Sequence, residues 1–301
     1  MADDADADFG EVARNFATLW RALTVGEDGP RDLEQRRFLI DQVRDALDRA
    51  EDRLSAEDRS IIANTFTLEA RIQEGATTEV YRARHRDLGS LHVIKILRPD
   101  QAGDPIARKL LMREAKIGMA IRHPNVVATE TALRLGDGRP ALVFEWLDQN
   151  LSGFTADAPF STDDLTKIIT AILSGLGALH EAGFIHGDLS PANLLCSGRD
   201  FSRLKIADFG VAIETGRRYR ELDIAFAGRP QFAPPEQLAG EILDARSDLY
   251  AAGRVLSELL SLCRGNVDRL DAFIAELIHE QPDKRPENAK AAQNMLDGFL
   301  R

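Results

Sequence analysis

Cysteine, tryptophan and tyrosine are scarce in this chain of 301 residues, which holds two, two and three of them. The two cysteines, Cys196 and Cys263, sit in no pairing motif, which excludes a disulfide-built scaffold and reads as reduced core or surface thiols of a cytosolic protein. Long apolar runs are missing: no stretch approaches the roughly 20 residues a membrane span needs, so no membrane association is expected. Positive charge is outweighed, 38 Lys and Arg against 49 Asp and Glu, for a net charge of −11. That balance argues against a general nucleic-acid binder or a ligand of anionic membrane surfaces. The opening Met1-Ala-Asp-Asp-Ala-Asp-Ala-Asp8 lacks an apolar core, so no signal peptide and a cytoplasmic location are expected. Internal repeats and low-complexity tracts are also missing.

What remains is ordinary for a folded chain: 44% apolar and 29% charged residues, enough to bury a sizeable core. The pattern changes near Thr65. Before it, Phe9, Val12, Phe16, Leu19, Trp20 and Leu23 recur at helical spacing, and Gly26-Glu-Asp-Gly-Pro30 breaks that helix. A second helix follows with Leu39, Val43, Leu47 and Leu54 near one stripe, and Ser55-Ala-Glu-Asp58 reads as a capping sequence opening a short third one. Such stripes report burial, not the partner. Residues 1–65 are either packing on the rest or a regulatory or dimer-forming module.

After Thr65, short strands precede long helices. Val93-Ile-Lys95 closes an apolar strand, and Glu114 lies on a helical pattern over 105–121. His186-Gly-Asp188-Leu-Ser190-Pro-Ala-Asn193 is followed, after one apolar strand, by Asp208-Phe-Gly210. Singly, each is weak: a strand-end Lys or a helical Glu is usually solvated, and Asp-Phe-Gly is often a turn. Five in this order and spacing are specific.

The set resembles the eukaryotic-like Ser/Thr protein kinases of bacteria, from near Phe66 to the end. The resemblance implies an α+β, two-lobed protein-kinase fold: a small β-rich N-lobe over 66–146 and a helical C-lobe over 147–301, behind the N-terminal helical extension. It implies ATP with Mg2+, or Mn2+, as cofactor. By the same resemblance Asp188 orients the attacking hydroxyl and takes its proton, Asn193 and Asp208 hold the metal, Lys95 grips the phosphates, and Glu114 steadies Lys95. Ile72, Gly75, Val80, Val93 and Leu195 would enclose the nucleotide, with Phe144 as gatekeeper. Backbone groups of Glu145 and Leu147 would meet adenine. Glu236 of Phe232-Ala-Pro-Pro-Glu236 should pair with Arg285 of Asp283-Lys-Arg-Pro286, and Asp248 should hydrogen-bond the catalytic loop. That last block distinguishes protein kinases from small-molecule phosphotransferases.

Departures from the family pattern carry information as well. The phosphate loop Ile72-Gln-Glu-Gly-Ala-Thr-Thr-Glu-Val80 keeps only the middle glycine, with Gln73 and Thr78 at the others, which limits close approach of backbone to phosphate. The Lys two residues after the catalytic Asp is Ser190, and its usual Thr partner is Arg229. Arg229 is thus a candidate γ-phosphate contact replacing the lost cation, or else a solvated loop residue. Gly187 replaces the Arg that reads loop phosphorylation. The spacing from Asp248 to Arg285 leaves a short C-lobe. Control is therefore expected outside the loop, and the partners expected are ATP, a protein substrate and a second copy or regulator at the N-terminal helices. The expected activity is phosphoryl transfer to Ser or Thr of a protein. The alternatives are a pseudokinase scaffold, or a kinase-fold enzyme with a small-molecule acceptor or nucleotidyl transfer.

Overall fold

The computed structural model of the chain describes residues 3–26, 29–54, 61–155, 157–222, 224 and 226–300. It forms two compact units, Met1–Thr65 with Arg134–Gly138, and Phe66–Leu133 with Arg139–Arg301.

In the first unit, α1 (Asp3–Thr24) and α2 (Leu33–Leu54) flank a two-rung antiparallel ladder pairing Val25 with Pro30 and Gly26 with Gly29. The break expected at 26–30 is therefore a reversal. Arg31 closes the end of α1, its Nε donating to Ala22 O at 3.1 Å and its backbone N–H to Thr24 O at 3.0 Å. The apolar stripe of α1 is buried only in part. Leu23 is buried, while Val12, Phe16 and Trp20 are 60%, 64% and 53% exposed. On α2, Leu39 and Val43 are half-buried and Leu47 is exposed. Two helices alone offer each other a seam narrower than such a stripe. The side chains of Phe9 and Leu54, and the helix expected to open at Ser55–Asp58, fall outside the described residues.

The second unit begins with five antiparallel strands: β1 (Phe66–Glu74), β2 (Thr78–His85), β3 (Leu91–Leu97), β4 (Thr129–Arg134) and β5 (Pro140–Glu145), in spatial order β1-β2-β3-β5-β4. Strand alternation separates two faces of β3. Ile94 and Ile96 are buried on one, and Val93 and Lys95 lie on the other. Register sets Lys95 between Val80 of β2 and Leu142 of β5. Helix α3 (Pro105–Ala120) starts on Asp104, whose carboxylate accepts from Ile106 N–H at 2.8 Å, with Pro105 at the first helical position. A Cβ at Gly118 would stand 2.0 Å from Thr129 Oγ1, so only glycine lets α3 lie this close to β4.

The helical part is built on α4 (Thr162–Glu181), opened by a reciprocal capping box between Ser161 and Asp164. Its Leu165, Ile168, Ile172, Leu176 and Leu179 recur at helical spacing and are all buried. Against them pack α6 (Ala245–Leu260), α7 (Asp268–Leu277) and α8 (Ala289–Leu300), while the single-turn α5 (Pro235–Leu238) carries Glu236. The link from α6 to α7 is short, in line with the short C-lobe read from the sequence.

Candidate active site

A cavity of about 300 Å³ lies between the sheet and the helical part of the second unit. Ile72, Val80 and Val93 wall it from the sheet, Phe144 and Leu147 from the end of β5, and Leu195 from the other side. Glu145 also borders it. Its carboxylate is occupied: Oε1 accepts from Ala128 N–H at 2.6 Å and from Lys205 Nζ at 2.8 Å. Gly75 is not among the residues that line this cavity. Its N–H donates to Thr78 O at 2.8 Å, which closes the β1–β2 turn on itself, and Gln73 borders the cavity instead.

Lys95 joins three elements. Its Nζ donates to Glu114 Oε1 and Oε2 at 3.0 and 2.8 Å, and to Asp208 Oδ1 at 2.9 Å. One ammonium is thus shared by two carboxyl groups. Burial opposes the charge on Lys95, but Asp208 and then Glu114 outweigh it and hold the ammonium above the ordinary lysine range. The Lys95 charge draws the Asp208 carboxyl down to about 2 against the effect of burial. Burial pushes the more enclosed Glu114 up to about 7, against Lys95. Asp208 takes a left-handed backbone, φ +69°, and its Oδ1 also accepts from Gly210 N–H at 3.3 Å.

The catalytic loop is fixed from behind. Asp248, at the start of α6, accepts from His186 N–H at 2.8 Å and Gly187 N–H at 3.0 Å, with His180 Nε2 at 2.8 Å. His186 donates from Nε2 to Ala207 O at 3.0 Å and accepts from Asp188 N–H at Nδ1, so its partners set the tautomer. Asn193 Nδ2 donates to Asp188 O at 2.8 Å and Oδ2 at 3.1 Å. Asp188 Oδ1 is buried without a hydrogen-bond partner among the described residues, a free acceptor beside the cavity. Burial pushes the Asp188 carboxyl up, and Arg229 and His186 draw it back.

Arg229 is partly exposed but has partners on the catalytic loop. Its Nη1 donates to Ser190 Oγ and lies 3.5 Å from Asp188 Oδ2. The two positions that depart together from the family pattern are therefore in contact. Deeper in, Arg285 Nη1 and Nη2 meet Glu236 Oε1 and Oε2 at 2.7 and 3.0 Å, a buried bidentate pair with the guanidinium over the Tyr250 ring.

Sequence reasoning missed Gln237. It is buried, and its Nε2 donates to Gly187 O and Ala227 O, each at 2.8 Å, which ties the catalytic loop to the segment before α5. Nothing local marked it, because a Gln beside the Pro-Pro-Glu motif looks like any polar helix residue. Tyr219, in the segment between Asp208 and Glu236, is also buried.

Comparison with known proteins agrees with this geometry. The protein kinase domain family matches residues 66–265. The serine/threonine-protein kinase pkn3 of Myxococcus xanthus is 32% identical over 232 residues, 73% of this chain and 42% of that one. The serine/threonine-protein kinase PknB of Mycolicibacterium smegmatis is 35% identical over 203 residues, 62% of this chain and 31% of that one. The chain thus spans less than half the length of either relative. The crystal structure of the Mycobacterium tuberculosis PknI kinase domain superposes with a TM-score of 0.62 over 80% of this chain and 98% of that one, at 21% identity, and shows a shared fold. With the motifs, the fold and the family match in agreement, the chain belongs to the protein kinase domain family, among relatives that are bacterial Ser/Thr kinases.

Proposed function

We propose that the chain transfers the γ-phosphoryl group of Mg-ATP to a Ser or Thr hydroxyl of a protein. The observation that carries this reading is the Lys95–Glu114–Asp208 cluster at the wall of a nucleotide-sized cavity, with the free oxygen of Asp188 nearby. A purine would lie between Val80, Val93 and Leu195, against backbone of Glu145 and Leu147. Lys95 would reach the α- and β-phosphates while Glu114 keeps it aimed.

The residues fit a hard divalent ion. Asp208 is ionised at any physiological pH, and among the described residues its hydrogen bonds fall on Oδ1. Asn193 uses its amide nitrogen on Asp188, which leaves its oxygen available. Among the described residues no three His, Cys, Asp or Glu side chains are grouped to cage a metal. Two protein oxygens completed by phosphates and water suit Mg2+ or Mn2+, and not zinc. When bound, the ion would neutralise phosphate charge. Asp208 and Asn193 would hold it.

In the transfer itself, the acceptor oxygen bonds to the γ-phosphorus as the bond to the β–γ bridging oxygen breaks and ADP leaves. The hydroxyl proton passes to Asp188, whose raised carboxyl is better matched to accept it than an ordinary aspartate. Arg229 would meet the charge on the transferring group from the opposite wall, with Ser190 holding its guanidinium. A second reading, an ATP-binding scaffold, draws support from Gln73 at the cavity wall, where family members carry glycine.

Incubation with γ-labelled and α-labelled ATP separates the readings. Label from γ on protein, lost in Lys95→Met and Asp208→Ala variants that keep the wild-type circular dichroism, is the expected result. Label from α would mean nucleotidyl transfer. ATP binding without either label would mean a scaffold, and undiminished γ-label in the folded variants would refute the site.

A further inference from the structure

Gly187 is held from three sides. Its N–H donates to Asp248 Oδ1 at 3.0 Å, and its carbonyl accepts from Gln237 Nε2 at 2.8 Å. On the third side stands the phenol of Tyr219. A Cβ on Gly187, whose φ is +73°, would lie 1.9 Å from Tyr219 Oη, so any side chain at 187 and this ring exclude each other. Tyr219 comes from the segment between Asp208 and Glu236. It is 4% exposed and packs among Ile185, Ile213, Ala227 and Leu243.

The hydroxyl is not what holds it there. Tyr219 Oη is buried and has no hydrogen-bond partner among the described residues. Burial, then the charges of Asp248 and Asp188, push its ionisation above the ordinary tyrosine range, so it is a neutral phenol. An unpartnered buried hydroxyl opposes folding, so the ring must supply the attraction. Gln237 works alongside it. Its two amide protons go to Gly187 O and Ala227 O, both obligate acceptors, and that fixes the amide orientation.

We propose that Tyr219 is a positioning residue. Its ring, packed among Ile185, Ile213, Ala227 and Leu243 with its hydroxyl end against Gly187, works beside the Gln237 amide to hold the segment that carries Arg229 onto the catalytic loop without a phosphate. Family members place an arginine at position 187 to gather that segment through a charged group. Here the arginine is gone, and an uncharged ring from the segment itself fills the space. Gly187 and Tyr219 are two halves of one device. Its consequence for rate rests on the phosphoryl-transfer reading, but the seat itself does not.

Two readouts on the intact chain keep the two apart. Tryptic cleavage after Arg217, Arg218 and Arg220 reports whether the segment is held. Phosphoryl transfer reports whether holding it matters. Tyr219→Ala should be cut at these sites at least tenfold faster than wild type, and should lose at least tenfold in kcat with KM for ATP within twofold. Tyr219→Phe, which keeps the ring and drops the orphan hydroxyl, should match wild type in both. Gly187→Ala should reproduce Tyr219→Ala from the other partner, and serves if Tyr219→Ala does not fold. The double variant should be no worse than Gly187→Ala alone, which already breaks the same contact and carries the strain of a side chain at φ +73°. Wild-type cleavage and kcat in folded Tyr219→Ala, or simple additivity in the double variant, would overturn the proposal. If the cleavage pattern holds while wild type itself transfers nothing, the seat stands and the kinase reading falls.

Discussion

Replacing Arg229 by alanine tests whether the contact between the two altered positions does chemistry. The guanidinium lies 3.5 Å from Asp188 Oδ2, with its side chain 40% exposed and that of Asp188 15% exposed. A unit pair at that distance is coupled by about 5 kcal/mol at an effective dielectric of 20 and by about 1 kcal/mol in bulk water. Partial exposure places this pair between those limits. A rate loss of about tenfold to a hundredfold, or about 1.4 to 2.7 kcal/mol, is therefore expected in kcat, with a smaller change in KM for ATP. The pH profile supplies a second signature. Burial raises the Asp188 carboxyl and Arg229 lowers it, so removing Arg229 raises it further. A base with a raised pKa is protonated to higher pH, so the acid limb of kcat should move up and the loss should deepen at low pH. Ser190→Lys added to Arg229→Ala should recover part of the rate, since it restores a cation from the adjacent wall of the loop. The assay is γ-label incorporation into casein across pH 5.5 to 9. An unchanged kcat and an unmoved acid limb in Arg229→Ala, or no recovery in the double variant, would refute the compensation.

Glu236→Ala leaves the Arg285 guanidinium buried and unpaired, so a loss of about 3 to 5 kcal/mol and a fall in Tm of roughly 10 °C are expected by calorimetry, against a milder fall for Glu236→Gln. Glu114 is raised from 4.5 to about 7. Its contribution to stability is therefore fully present below about pH 4.5 and lost as pH rises through about 7, by up to about 3 kcal/mol. Urea unfolding without nucleotide should show that decline in wild type and not in Glu114→Gln; parallel pH curves would count against it. Deleting residues 1–64 should change the mass in solution or the turnover rate, given the exposed Val12, Phe16 and Trp20, and light scattering with a rate assay decides. A truncated protein of unchanged mass and rate would make the extension mere decoration.

The residues of the candidate site were legible as a set. Lys95, Glu114, Asp188, Asn193 and Asp208 stand in a fixed order and spacing, and the proposed phosphoryl transfer, with its phosphate, metal and hydroxyl, would accept few substitutes at those places. The strands and helices around them follow from period-2 and helical spacing, as at Ile94 and Ile96 or along α4. Ser161 announces its helix through a capping oxygen that acts over only three residues. Such signals are local, and a sequence displays them directly.

The rest depended on distance in the chain. That Gly75 N–H is taken up by Thr78 O follows from the path of the β1–β2 turn, not from the glycine itself. That Arg229 is a partner of Ser190 and Asp188 depends on the path of the segment, which brings positions 39 residues apart into contact. Whether Val12, Phe16 and Trp20 are covered depends on how much surface a neighbouring helix can reach, which no periodicity records. Gln237 and Tyr219 are the sharpest case. Each is an unremarkable residue in sequence, and each acquires its role from Gly187, whose missing side chain becomes meaningful only once the fold shows what fills the space. Sequence alone determined the family, the elements and the residues proposed for the chemistry, because those are set by side-chain type and short spacing. Tertiary structure decided which departures compensate one another, because compensation is a matter of volume and distance between segments far apart in the chain.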